Sequence, residues 1–183
     1  MKKQKTMILV LAGLFLALGL LLPMALGHWT GIPRFGMIFL PMHIPILLCG
    51  LICGYRWGAI VGFIVPLLSF FIFAMPPFIA IALWMAFELA VYGLVAGIVI
   101  KKANMFIALI VAMVCGRIVL AISQAIIISI TGEFAFISYF AVGVFLTETF
   151  ITALPGIAIQ LVLIPAVMIA LKKARLLPEG AKA

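Results

Sequence analysis

The sequence predicts an all-α membrane protein, a bundle of six transmembrane helices with both termini in the cytoplasm. Three observations carry this prediction. Hydrophobic residues make up 68% of the 183 residues and charged residues only 9%, and the mean hydropathy of +1.48 lies far outside the range of soluble domains. The apolar residues form six runs, each near the roughly 20 residues that a helix needs to cross a bilayer. Lysine and arginine collect between alternate runs.

The six runs account for nearly the whole chain, so we predict a single transmembrane domain over residues 1–183. The first run follows a lysine-rich start, as in a signal peptide, but it is long enough to span and the remaining chain is equally apolar. We therefore interpret it as a retained helix. The predicted helices are 6–26, 37–53, 59–74, 78–100, 105–130 and 141–171, separated by GHWTGIPRFG (27–36), GYRWG (54–58), MPP (75–77), KK (101–102) and TGEFAFISYF (131–140).

The distribution of basic residues predicts the orientation of the bundle. Counted at alternate helix ends, ten lysines and arginines fall on one side, and Arg34 stands alone on the other. Because basic loops stay in the cytoplasm, both termini are expected there. The ten are Lys2, Lys3, Lys5, Arg56, Lys101, Lys102, Lys172, Lys173, Arg175 and Lys182.

Several function classes are disfavoured. The net charge of +8 does not form the clustered basic face of a nucleic-acid-binding protein. Cys49, Cys53 and Cys115 lie in apolar runs and are best explained by packing, since neither a metal site nor a disulfide framework has its expected spacing. No GxxxxGK[ST] loop is present for ATP, and no HExxH or GxSxG motif for a hydrolase.

Small residues recur at helical spacing. Glycines stand at positions 50, 54, 58 and 62, and again at 93 and 97, while Gly13 and Ala17 form a similar pair in the first helix. Such spacing lets two helix backbones approach closely. Packing within the bundle explains most of them, and Gly54 and Gly58 could instead form the turn. The alternative is that one face, above all that of the first helix, docks another membrane subunit.

A few polar residues lie within the predicted spans, where charge is costly. Glu88 and Arg117 are at matching depth, which predicts an ion pair, and His43 stands between two helix-weakening prolines. We expect the second helix to bend there, so that His43 points into a polar pocket open to the exterior. Each residue also has a purely structural explanation. The set is completed by Trp84, Ser123, Gln124 and Glu148.

The outer loops and the missing motifs leave further alternatives open. The aromatic residues of the outer loops suit either an interfacial belt or a lid over the pocket. A histidine with two glutamates could in principle form an intramembrane hydrolase, and a secondary carrier would need two related halves that the sequence does not display. The preferred interpretation is a membrane subunit that captures a solute and takes its energy from elsewhere.

On four stretches, the chain resembles the substrate-binding S-components of energy-coupling factor (ECF) vitamin transporters. The glycine-rich turn of the first stretch is the most specific. Helix 1 departs from the family pattern, since it has only Gly13 and Ala17 where two small-residue motifs are common. The stretches are LPMHIPILLCGLICGYRWGAIVGFIVPLL (40–68), MPP with FELAVYGLVAG (75–77 and 87–97), CGRIV (115–119) and ALPGIAIQLVLIP (153–165).

The resemblance implies a six-helix protein of the prokaryotic cytoplasmic membrane that captures a vitamin or precursor from outside. It implies partners: a transmembrane coupling subunit and two cytoplasmic ATPases, which use the ATP, while this chain binds no cofactor and no metal and is not an enzyme. Family ligands are held in the outer half, which at matching positions implicates Arg34, Phe35, His43, Trp84, Glu88, Arg117, Gln124 and Glu148. The docking residues would be Gly13 and Ala17.

The ligand itself is less defined by the sequence. A carboxylate, a guanidinium and an indole in one pocket suit a pyridoxine-like or pyrimidine-like heteroaromatic compound. Riboflavin, pantothenate, niacin, a corrinoid precursor and a queuosine precursor remain alternatives.

Overall fold

The computed structural model describes residues 2–30, 35–131, 147, 151–174 and 177, and every regular element among them is helical. Five of these helices are long and apolar enough to cross a membrane. The all-α prediction is therefore confirmed. The helices are α1 (Lys2–Thr30), α2 (Phe35–Phe39), α3 (His43–Cys53), α4 (Tyr55–Phe73), α5 (Ile79–Val99), α6 (Met105–Thr131) and α7 (Leu154–Lys173), of which α1 and α4 to α7 are the five.

The predicted second helix, 37–53, is wrong as a single element, because the chain breaks between α2 and α3. Leu40 takes a left-handed conformation with φ of 50° and precedes Pro41, whose ring disfavours right-handed helix in the residue before it. The His43 N–H then donates to the Leu40 carbonyl at 3.1 Å, and α3 begins. With 11 residues, α3 is only about 16 Å long, roughly half of a bilayer core. The bend that the prolines predicted is present as a full interruption.

The turn between α3 and α4 is much shorter than predicted. Gly54 alone makes it, with φ of 90° and ψ of 167°, a conformation that residues with a side chain rarely adopt. α4 therefore starts at Tyr55 rather than at residue 59. The prediction of a turn over 54–58 is wrong because Gly58 already belongs to the helix, where its N–H donates to the Gly54 carbonyl at 3.0 Å.

Glycines join α3, α4 and α5 at the centre of the bundle. A Cβ added to Gly58 would lie 2.6 Å from the Cα of Gly50 and 2.7 Å from the carbonyl oxygen of Gly93. Added at Gly97, a Cβ would lie 2.6 Å from the carbonyl oxygen of Gly50, and at Gly62 it would collide with the Leu89 backbone. The three backbones therefore touch, as small-residue spacing permits. Packing within the bundle is confirmed as the role of these glycines.

α7 closes the bundle beside the helix break. It packs against α2, α3 and α6, and a Cβ on Gly156 would lie 2.7 Å from the carbonyl oxygen of Ile38. The helix begins at Leu154, and shortly before it the Thr152 N–H donates to the Thr147 carbonyl at 2.8 Å. The predicted start at residue 141 lies outside the described residues, but the interval 151–153 is not α-helical.

The remaining boundaries shift by a few residues. α1 continues to Thr30 through the first part of the predicted loop 27–36. α4 ends at Phe73, where Ala74 takes a left-handed conformation, and α5 starts at Ile79. Cys49 and Cys53 are buried in the core as free thiols, as expected from their apolar surroundings.

Candidate functional site

A buried ion pair joins α5 and α6. Nη1 of Arg117 lies 3.1 Å from Oε1 of Glu88, and the two residues are only 7% and 2% exposed. Glu88 lies eleven residues before the end of α5 and Arg117 twelve after the start of α6. At about 1.5 Å per residue, both lie roughly 17 Å from those helix ends. The ion pair that their depths predicted is confirmed.

His43 lies against this pair because the helix break ends there. As the first residue of α3, it is 3% exposed, and its Nε2 is 3.7 Å from Oε1 of Glu88. This distance is too long for a hydrogen bond. Neither ring nitrogen of His43 has a hydrogen-bond partner within the described part of the chain. The structure therefore brings the histidine to the charged pair and leaves its polar atoms available.

Tyr92 completes the cluster and was not predicted as a site residue. It lies one turn after Glu88 on α5, and its ring meets the His43 imidazole edge to face, with centroids 5.0 Å apart. Its phenol is close enough to Glu88 and Arg117 to interact with both. A Cβ on Gly116 would lie 2.6 Å from the Tyr92 ring, so this glycine makes room for it. The spacing of four residues between Glu88 and Tyr92 was the signal that could have found it.

Two other predicted residues lie along the same pair of helices. Trp84, one turn before Glu88, is 6% exposed and packs in a small apolar cluster with Ala80 and Leu120. Gln124 lies two turns beyond Arg117, and its Oε1 is buried with no hydrogen-bond partner among the described residues. The Ser123 hydroxyl instead donates to the Leu120 carbonyl of its own helix at 3.1 Å. Ser123 is thus satisfied locally.

The other predicted residues are not brought to the cluster by the described structure. Arg34 and Glu148 lie outside the described residues, as does the side chain of Phe35, which begins α2. Gly13 lies on an exposed face of α1, with nothing within 4 Å of an added Cβ, and Ala17 is half-buried. These two therefore belong to a different surface.

Gln160 on α7 was missed by the sequence reasoning. Its residue exposure is 1%, and its amide nitrogen Nε2 has no hydrogen-bond partner in the described ranges. It lies one turn after Gly156, the residue that packs on the segment before the helix break. Because polar residues at membrane depth are costly, a lone glutamine in ALPGIAIQLVLIP was a signal as clear as Gln124.

The cluster of His43, Glu88, Tyr92 and Arg117, called the polar cluster below, combines one acid, one base, an imidazole and a phenol. Among the residues that the structure describes, no three His, Cys, Asp or Glu side chains lie together as metal ligands would. Hydrogen-bonding groups in a buried setting can bind a polar solute strongly, since water does not compete there. The arrangement therefore favours recognition of a small polar molecule.

A comparison with protein families bears on the choice between the transport and enzyme interpretations. The family model for the substrate-specific component of ECF transporters matches residues 7–168. The chain belongs to this family. No curated protein and no solved structure matches it.

Membership points to a role in transport and makes this S-component a multi-pass membrane protein. It implies a small-molecule substrate and an ECF complex that includes coupling and ATPase subunits. The family that the sequence resembled is thus confirmed over most of the chain.

Proposed function

We propose that this S-component captures a water-soluble vitamin or vitamin precursor outside the cell with high affinity and delivers it to an ATP-driven importer. The polar cluster is the observation that carries the proposal. It buries a charged pair and leaves donors and acceptors without partners among the described residues. Leaving such groups unpaired costs about 1 to 3 kcal/mol each, more for charged groups. A ligand that pairs them would recover that energy as affinity.

The composition of the cluster suits a small heteroaromatic ligand. Glu88 and Arg117 provide an acceptor and a donor set, and His43 adds ring nitrogens. Trp84, one turn from Glu88, offers an indole beside them for stacking. A pyridoxine-like or pyrimidine-like compound matches these groups best. Arg34, Phe35, Gln124 and Glu148 remain proposed contacts from the outer side of the bundle.

The helix break supports capture at this depth. Irregular backbone inside a membrane persists where protein or a cavity satisfies it. Here the break at Leu40 places His43 beside Glu88, roughly halfway along the bundle. The broken segment would make the sixth crossing, with both termini in the cytoplasm of a prokaryotic cell, as the basic residues indicate.

Energy would come from partners, because the sequence has no phosphate-binding loop of its own. Two cytoplasmic ATPases would use ATP, and a transmembrane coupling subunit would contact this chain. We place that contact on α1 at Gly13 and Ala17. Outside the backbone of its own helix, no atom of the described residues lies within 4 Å of a Cβ built on Gly13, so these residues do not use this glycine for close packing.

Reconstitution tests the proposal. The purified chain in proteoliposomes is expected to bind a vitamin and transport none until the coupling subunit, the ATPases and ATP are added. Transport by this chain alone under a proton or sodium gradient would make it a secondary carrier. Hydrolysis of a peptide or lipid by the chain alone would make it an enzyme. Either result would overturn the proposal.

A further inference from the structure

Arg117 uses only part of its guanidinium for the ion pair. Nη1 faces Glu88 at 3.1 Å, whereas Nε and Nη2 are fully buried and have no hydrogen-bond partner among the described residues. Nε–H and one Nη2–H lie side by side on one edge of the planar group and point in parallel. This edge is the one that binds the two oxygens of a carboxylate in bidentate fashion.

Glu88 balances the charge of Arg117 but does not satisfy these donors. The pair is neutral overall, so an incoming anion meets no net positive field from it. What favours an anion is the geometry of the second edge, where two N–H groups converge in a site without competing water. Because Glu88 contacts the guanidinium through Nη1, the two carboxylates would lie on different sides of it.

Gln160 supplies another unpaired donor at the same level. It lies thirteen residues before the end of α7, and Arg117 lies twelve after the start of α6. Those two helix ends lie on the same side of the membrane when successive long helices alternate. At about 1.5 Å per residue the side chains are about 20 and 18 Å from that side. α7 packs on α3 and α6, and the Gln160 side chain is buried within this bundle.

The balance of unpaired groups also favours an acceptor-rich ligand. Within the described ranges, buried atoms that lack partners include the donors Nε and Nη2 of Arg117 and Nε2 of Gln160. On the acceptor side there is Oε1 of Gln124, while His43 contributes one donor and one acceptor when neutral. Oε1 of Glu88 also lacks a hydrogen-bond partner there, although it lies 3.1 Å from Nη1 of Arg117, so donor hydrogens still outnumber the unpaired acceptors.

We propose that the Nε and Nη2 edge of Arg117, assisted by the amide of Gln160, binds a carboxylate carried by the captured ligand. This rests on the proposed capture function and changes its choice of ligand, because it selects acids such as nicotinate or pantothenate over pyridoxine-like or pyrimidine-like compounds without a carboxylate. Glu148 is a competing occupant from within the chain, since it also carries a carboxylate and lies outside the described residues.

Mass spectrometry of small molecules retained by the purified chain gives the first test. A retained carboxylic acid is the expected result. A retained ligand without an acidic group would overturn the carboxylate site while leaving the capture function intact. If the chain retains nothing and binds none of the probes below, the capture function itself fails.

Titration with matched acids and neutral analogues gives the second test. The probes are nicotinate against nicotinamide, pantothenate against pantothenol, and the retained acid against its methyl ester. The acid is expected to bind at least about 100-fold more tightly than its neutral counterpart, as two charge-assisted hydrogen bonds allow. Equal affinity within each pair would contradict the proposal.

Single substitutions test which residues cause the preference for acids over neutral analogues. Arg117→Lys keeps the charge but removes the bidentate edge, so the preference for the acid should fall by about 100-fold. Gln160→Leu should weaken acid binding by about tenfold through one lost hydrogen bond. Ser123→Ala is the matched control and should change nothing. If Glu148→Gln lowers the melting temperature as much as Arg117→Lys and acids show no preference, Glu148 fills the edge and the proposal is wrong.

Discussion

The two halves of α5 contrast in how they contact the rest of the bundle. Towards its end, Gly93 and Gly97 bring the backbone directly onto α3 and α4, with carbonyl groups where side chains would otherwise lie. Towards its start, Trp84 and Glu88 carry a large and a charged side chain, and near Glu88 several buried polar atoms have no hydrogen-bond partner in the part of the chain that the structure describes. One half is packed so tightly that an added Cβ would collide with backbone, whereas the other half holds polar side chains.

Tyr92 lies at the boundary between the two halves. Its ring packs over Gly116, as a close-packed residue would, and also meets the His43 imidazole. The contrast teaches that backbone packing and polar side chains occupy different halves of a single helix. Backbone contacts join α3, α4 and α5 in one half, and the other half carries the buried ion pair together with polar atoms that have no hydrogen-bond partner among the described residues.

Breaking the ion pair should give the largest loss of stability. Glu88→Leu leaves Arg117 buried without its counterion and is expected to lower the free energy of unfolding by about 3 to 5 kcal/mol. The double variant Glu88→Leu/Arg117→Met should be more stable than the single one, because it leaves no unpaired charge. Denaturation in detergent measures both. A double variant less stable than the single one would show that the pair does not couple in this way.

Adding a methyl group at the contact between glycines should give the second-largest loss of stability. Gly93→Ala places a methyl group against the Gly58 backbone, which cannot move aside as a side chain could, and should cost about 3 kcal/mol. Gly13→Ala is the matched control, since open space surrounds it, and its melting temperature should be unchanged or slightly raised. Equal melting temperatures for the two variants would remove the distinction between the tight and the open glycines.

Replacing the histidine should affect binding more than folding. His43→Phe keeps a ring against Tyr92 but removes both nitrogens, so the retained vitamin should bind about tenfold more weakly with little change in melting temperature. Isothermal titration of the purified variant measures this. If affinity is unchanged while the protein stays folded, His43 only fills space.

The smallest effect is expected at Ser123. Its hydroxyl already donates to the Leu120 carbonyl of the same helix, so Ser123→Ala should change both the free energy of binding and the free energy of unfolding by less than about 0.5 kcal/mol. Gln124→Leu, one residue further, removes an oxygen that has no such partner in the described ranges and should weaken binding. Equal affinities for the two variants would mean that the local hydrogen bond of Ser123 does not explain a difference between these two residues.

The sequence was most informative at residues whose burial or conformation carries a large free-energy cost. Charge inside an apolar run is expensive enough that Glu88 and Arg117 at equal depth had few alternatives to meeting, and they do meet. The prolines beside His43 likewise made a bend necessary. Glycine spacing predicted close packing because only glycine allows backbones to touch, and the contacts of Gly50, Gly58 and Gly93 confirm it.

Features that depend on a single dihedral angle or on three-dimensional neighbours were not predictable in the same way. The stretch GYRWG is compatible with a turn of one residue at Gly54 and with a turn of five residues, since glycine permits both. The full break at Leu40 needed a left-handed non-glycine residue, which propensity disfavours. The spacing of Tyr92 and the polarity of Gln160 distinguish them in the sequence, but their burial and their neighbours are known only from the structure.

The depth of the polar cluster has an electrical consequence. In the proposed orientation, a solute that reaches Glu88 from outside has crossed about half of the bilayer, since Glu88 lies eleven residues from the inner end of α5. An elementary charge crossing a full membrane at 100 mV changes energy by about 2.3 kcal/mol. A monovalent anion would therefore bind roughly sevenfold more weakly at an inside-negative voltage of 100 mV than at zero, so polarised cells would load this protein less readily than depolarised vesicles.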